Sequence, residues 1–211
     1  MNRMPKTLAL LTLALAAGCS STHYSDPKDT ETINVDWGST DLQTFSSKMV
    51  QSLKDSPSLA YFDRAGKGAD KRVIGYMGGI KNSTSEHIDT TAVSDAIRTD
   101  LIQSGKFRFV VDTAGQQEIG DQVHFQQDSG RVDPKEAMAF GKQHGAEVII
   151  YGVLRSIEKH KGRSLESGGT KTEDTYYQFV LNAANVETGE IIWSDKGEIR
   201  KTEKTGLFGS R

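Results

Sequence analysis

The chain has 211 residues and a formal net charge of −2, from 26 basic and 28 acidic side chains. That length allows one domain with a sizeable core, or barely two. Its mild acidity lacks the electrostatic footprint of a general nucleic-acid binder. Its single cysteine, Cys19, excludes disulfides within the chain and metal sites built from several thiolates.

Arg3 and Lys6 form a short basic region ahead of the apolar run Leu8 to Cys19, LALLTLALAAGC. This is the build of a secretory signal peptide. The run is too short for the ~20 residues of a spanning helix. Its end, Leu15-Ala16-Ala17-Gly18-Cys19, resembles the bacterial lipobox, in which the cysteine becomes the acylated first residue of the mature protein. By the same resemblance, Ser20 and Ser21 after it favour the outer membrane. An ordinary cleaved signal with a chance cysteine is the plainer alternative. The boundaries expected are a signal peptide over 1–18, a flexible tether over 19–34, a folded domain over 35–200 and a frayed tail over 201–211. The 18 residues from Cys19 to Trp37 span about 60 Å extended and about 25 Å as a coil.

Leu42, Phe45, Met49 and Leu53 predict an amphipathic helix, capped by Thr40 or Asp41 and closed by Pro57. Val73–Ile80 predicts a buried strand whose glycines suggest a bulge, followed by a turn over Asn82–Ser85. A second helix runs from an Asp89 cap to a Gly105 stop, and a strand follows over Phe107–Val111. Asp112–Gly120 predicts a short helix and Gln122–Arg131 a loop. Asp133-Pro134-Lys135-Glu136 reads as a strong helix start, with the helix running through Met138 and Phe140 to Gly145. Glu147–Leu154 is a strand, and Glu158–Glu173 a polar connection. Tyr177–Ala183 and Ile191–Trp193 form a hairpin around Glu187-Thr188-Gly189. The fold class expected is α/β (α+β): one domain, a mixed sheet covered by helices, ending in an antiparallel hairpin.

Motifs for catalysis are missing. The five histidines, His23, His87, His124, His144 and His160, have no helical metal spacing, and no G-x-S-x-G is present. Gly66-Lys67-Gly68 lacks the rest of a phosphate loop. Glu118 with Asp121, and Glu173 with Asp174, read as solvated surface rather than a glycosidase pair. Arg155 to Arg163 is basic. It suits either a solvated hairpin arm or contact with an anionic wall polymer or a partner's acidic face. Trp37 and Trp193 read as core anchors. No cofactor is expected.

Several stretches in one order resemble the LpoB family. They are Asp36-Trp37, Ser47-Lys48-Met49, Asn82-x-Thr84, Gly105-Lys106-Phe107, Gly145-Ala146 before the strand to Tyr151, Thr188-Gly189-Glu190-Ile191-Ile192-Trp193-Ser194, and Lys196-Gly197. The resemblance implies a domain like the N-terminal domain of TolB, in a non-enzymatic outer-membrane lipoprotein facing the periplasm. It implies a penicillin-binding protein, a bifunctional peptidoglycan synthase, as partner. It also implies a partner-binding face containing Tyr151 and Glu190. A core position for Tyr151 and a merely solvated Glu190 are the plain alternatives at those sites. The short tether and the stretches Ser56–Arg72 and Glu158–Glu173 depart from the family's pattern. A CsgG-like lipoprotein of outer-membrane secretion is the alternative function, and a wall-polymer enzyme ranks third.

Overall fold

The computed structural model describes residues 25–27, 29–31, 34–62, 69–138, 143–164 and 169–206. Helix α1 spans Ser39–Lys54 and buries Phe45, Met49, Val50 and Leu53 along one face. A 3-10 turn, Pro57–Phe62, follows. Strand β1 is Val73–Ser83, α2 is Thr90–Gln103, β2 is Phe107–Phe109 and α3 is Thr113–Asp128. The chain then forms three long strands, β3 (Val148–Lys161), β4 (Lys171–Asn185) and β5 (Ile191–Thr205). The sheet order is β2-β1-β3-β4-β5. β1 is parallel to β2 and β3, while β3-β4-β5 is an antiparallel meander. This is the single α+β domain with a mixed sheet that the sequence predicts.

The core lies on one face of the sheet. Val93, Ile97 and Leu101 of α2 join the α1 residues there. They meet Ile150, Leu154, Tyr177, Phe179 and Leu181, all at most 1% exposed. Burying each such side chain is worth roughly 1.5–3 kcal/mol. α1 passes so close to β5 that a Cβ on Gly197 would stand 2.3 Å from the Phe45 ring. Trp37 stacks on Phe45 at 5.4 Å and meets Tyr177 edge-on at 5.5 Å. Trp193 packs on the same core, so both tryptophans anchor it. The β1–β3 register shifts between Met77 and Ile80, placing the expected bulge at Gly78 and Gly79.

Several boundaries differ from the sequence reading. α1 is capped by Gly38, and Asp41 reaches back from the first turn to accept from the Gly38 N–H at 2.9 Å. β1 continues through Asn82 and Ser83, both expected in a turn. The Asp112 helix extends to Asp128, taking in most of a stretch expected as loop. Only Val123 is buried on it, so its apolar period is weak. Its glutamines are sound helix formers all the same.

Asp133 opens no such helix. Its carbonyl accepts from the N–H groups of Glu136 and Ala137, at 2.8 and 3.0 Å, which closes one turn. Gln126 and Gln127 of α3 then bind the backbone of Met138. A cap contributes about 1 kcal/mol, which does not sustain a helix without a buried face; none of the described residues from Asp133 to Met138 is buried, and Met138 is 66% exposed. Phe140, placed in that helix, lies outside the described residues. At the C-terminus, 201–205, expected in a frayed tail, pair with β4.

The stretch expected as flexible tether is also partly bound. Glu31 accepts from Thr40 N at 3.1 Å and from Ser39 Oγ at 2.9 Å. Gly38 has no side chain to offer those first-turn donors, and Glu31 supplies a carboxylate from eight residues upstream. Burial pushes its pKa up, but these bonds outweigh that and leave it below the ordinary value. Gln43 holds the Pro27 carbonyl at 2.9 Å.

Candidate partner-binding face

Strand alternation gives the sheet a second face, opposite α1 and α2. In β3 this face carries Ile149, Tyr151 and Val153, half-buried between the buried core residues Ile150 and Leu154. Registers extend it into rows across the sheet. Tyr76, Ile149 and Ala184 form one row, and Tyr151, Asn182 and Ser194 the next. Ser194 donates to Asn182 at 2.7 Å. α3 flanks the β1–β2 edge, where Gln116 and Ile119 line a cavity with Ile74 and Arg108.

Tyr151 therefore belongs to the non-core face and is half-buried there. Glu190 is exposed in the β4–β5 turn. Its carboxylate accepts from Thr188 Oγ1 at 2.9 Å, and its carbonyl from Asn185 N at 2.8 Å. Gly189 supplies the left-handed residue of that turn, φ 76°. Asn185 pairs with Val148, three residues from Tyr151 along β3. At ~3.3 Å per residue and ~4.8 Å per strand, Tyr151 and Glu190 lie roughly 10–15 Å apart at the same end of the sheet. A standard interface of about 800 Å² per partner covers both. Cys19 lies outside the described residues.

The far end of the same face is charged. Glu198 Oε1 accepts from the Tyr176 hydroxyl at 2.6 Å, Lys196 at 3.0 Å and Gln178 at 3.2 Å. These bonds, the phenol's foremost, lower the Glu198 pKa to about 2. The same bond raises that of Tyr176. On the core face, Glu173 is buried, not solvated as the sequence suggested, with Lys171 at 2.7 Å and His160 at 3.4 Å. Among the described residues no three His, Cys, Asp or Glu side chains converge as a metal site. Four histidines are exposed and His23 lies outside the described residues. The companions of Tyr151, namely Tyr76, Ile149 and Val153, were missed by the sequence reading. The alternation of β3 beyond Tyr151 could have shown part of that row.

Among solved structures, the LpoB C-terminal domain from Salmonella enterica is 18% identical, covering 75% of this chain and 94% of that one, with a TM-score of 0.37. The NMR structure of E. coli LpoB is 14% identical over 96% of this chain and 91% of that one, TM-score 0.36. A lipoprotein from Neisseria meningitidis is 15% identical over 66% and 87%, TM-score 0.35. No curated protein matches the chain. The family model described as peptidoglycan-synthase activator LpoB matches residues 41–199, from the first turn of α1 into the second half of β5. With all the helices and the sheet lying almost wholly within that match, the chain belongs to the LpoB family of peptidoglycan-synthase activators.

Proposed function

We propose that this activator works from the outer membrane, with Cys19 acylated after removal of residues 1–18, and that the domain over 35–200 binds its synthase through a face that includes Tyr151 and Glu190. The match over residues 41–199 carries this reading. LpoB-family proteins are not enzymes, so activation rests on binding alone. An activator shifts a synthase only by binding its active conformation more tightly than the idle one. A tenfold shift takes about 1.4 kcal/mol of differential affinity, which one aromatic anchor can supply.

The anchoring segment is short. With Pro27 held on α1, eight residues lead from Cys19 to that contact, a reach of at most about 28 Å. A synthase of the inner membrane then has to extend most of the way through the wall. Cys19→Ala protein is expected in the soluble or uncleaved fraction, and its full recovery in the outer membrane would contradict the anchor. Tyr151→Ala and Glu190→Ala are expected to keep the melting temperature within a few degrees while weakening capture of the synthase. The Tyr151 change is the larger, over about 2 kcal/mol, and the Glu190 change about 1 kcal/mol or less. Unfolding of Tyr151→Ala would make that residue a packing residue instead.

A further inference from the structure

Beyond the first few rows, β3, β4 and β5 continue as a three-stranded arm, and its two faces differ in charge. From Arg155 onward, the non-core face holds five cations, Arg155, Lys159 and Lys161 of β3 with Arg200 and Lys204 of β5. It holds two carboxylates, Asp174 and Glu198. Both are engaged within the face: Asp174 accepts from Thr202 Oγ1, and Glu198 is held by Tyr176, Lys196 and Gln178. The opposite face of the arm holds Glu158, Glu173 and Glu203 against Lys171 and Lys201. The chain as a whole carries −2, so this face is a local reversal of its charge.

The cations are also available. Arg155, Lys159, Lys161 and Lys204 are exposed, and their side chains make no ion pair or hydrogen bond with another described residue. Arg200 lies 5.9 Å over the Tyr176 ring, which orients it without neutralising it. Between them is a shallow hollow of ≈ 220 Å³, lined by Ile157, Lys159, Asp174, Tyr176 and Arg200. Ile157 is 59% exposed on its rim. The positive groups are spread along about 20 Å of strand rather than converging on one point. That distribution suits an extended polyanion better than a single phosphate, and the exposed Ile157 beside the half-buried Tyr176 ring gives sugar rings a surface to lie on.

We propose that this face binds the carboxylate-bearing glycan–peptide polymer of the wall, lodging the arm against the polymer whose synthesis the partner carries out. The choice of polymer rests on the synthase-activator reading; the charge of the face does not. The site is separate from Tyr151 and Glu190, which lie at the other end of the sheet.

The test is co-sedimentation of the soluble chain, residues 25–211, with isolated peptidoglycan sacculi. Lys159→Gln/Lys161→Gln/Lys204→Gln serves as the variant, and capture of the synthase is measured in parallel. The wild-type chain is expected to pellet with sacculi, and less so as salt rises, because exposed charges are screened. The variant should bind sacculi roughly tenfold more weakly, as expected for three exposed ion pairs, with capture of the synthase unchanged. Failure of the wild-type chain to pellet, or equal pelleting of the variant, overturns the proposal. Pelleting with phosphatidylglycerol vesicles but not with sacculi also overturns it, in favour of a membrane surface. Loss of synthase capture in the wild-type chain would instead count against the partner reading.

Discussion

Tyr177 shows how one side chain closes this fold. It is fully buried, and its hydroxyl proton is shared between Glu86 and the Val35 carbonyl, 3.0 Å away. Glu86 also accepts from Trp37 N at 2.8 Å. One phenol thus ties the entry segment, the β1–α2 loop and β4 together. Burial, and then Glu86, push its pKa well above the ordinary phenol range. Tyr177→Phe keeps the ring but leaves a carboxylate short of a donor. It should cost about 2 kcal/mol in urea unfolding, and a change under half of that would contradict the tie. Sequence alternation marks Tyr177 as inward-facing. It does not reveal Glu86, because that partner is 91 residues away.

Glu198 makes a second residue-scale prediction, through pH. Its pKa falls from 4.5 to about 2 on folding. Between those values the unfolded chain binds the proton more readily. Its stabilising contribution is therefore complete above about pH 4.5 and is lost as pH falls toward 2. Carboxyl NMR should place the Glu198 midpoint near 2. Glu198→Gln should flatten the stability profile across that window, and an unchanged profile would show that the network does not form in solution.

At the scale of elements, local signals succeeded where tertiary packing agreed with them and failed where it did not. Asp89 caps α2 by accepting from Thr91 N at 2.9 Å, and the buried face of α2 completes the helix. Asp133 has as good a local sequence, but none of the described residues from Asp133 to Met138 is buried. Asp89→Ala should therefore cost about 1 kcal/mol, whereas Asp133→Ala should stay within ~0.5 kcal/mol. Equal losses in both would restore the helix that the sequence suggested. α3 runs past the end that its sequence predicts for the converse reason. Its second half is carried by helix propensity with one buried contact, which leaves little apolar period to detect.

The two ends of the domain are likewise fixed by contacts that no local pattern announces. Lys201 lies 2.5 Å from Asp41 and 2.7 Å from the Asp36 carbonyl, with both partners of the ion pair largely buried. Removing one partner of such a pair leaves a charge uncompensated. Lys201→Ala should cost about 3 kcal/mol, where a substitution in a frayed tail would cost nothing measurable. At the other end, Glu31→Ala should release the segment from α1. Proteolysis ahead of residue 38 should quicken, with roughly 1 kcal/mol lost from the helix. Unchanged cleavage would mean that the segment is free already.

For the molecule as a whole, the sheet separates two tasks. One face meets α1 and α2 and stabilises the fold. The other presents Tyr151 near one end and the basic arm at the other, with Glu190 in the turn beside the first. The sequence made this division partly legible. The alternation in β4 and the order of motifs through Trp193 indicate strands, hairpin and family. The length of the arm was hidden because polar strands such as Glu158–Lys161 and Lys171–Asp174 are held by pairing with neighbouring strands, not by burial. Their side chains read as loop, while the ladder from Glu158↔Thr175 to Lys161↔Thr172 makes them sheet.

The most direct measurement is the rate of glycan polymerisation by a purified bifunctional penicillin-binding protein, followed as consumption of its lipid-linked substrate while the soluble chain is added. The rate should rise with concentration and saturate. Tyr151→Ala should shift the half-saturating concentration upward by about thirtyfold, as expected for loss of a 2 kcal/mol anchor, without loss of folded protein. A rate that stays flat up to saturating concentrations of folded wild-type chain, with every bifunctional synthase of the same cell tried in turn, would contradict activation by this chain.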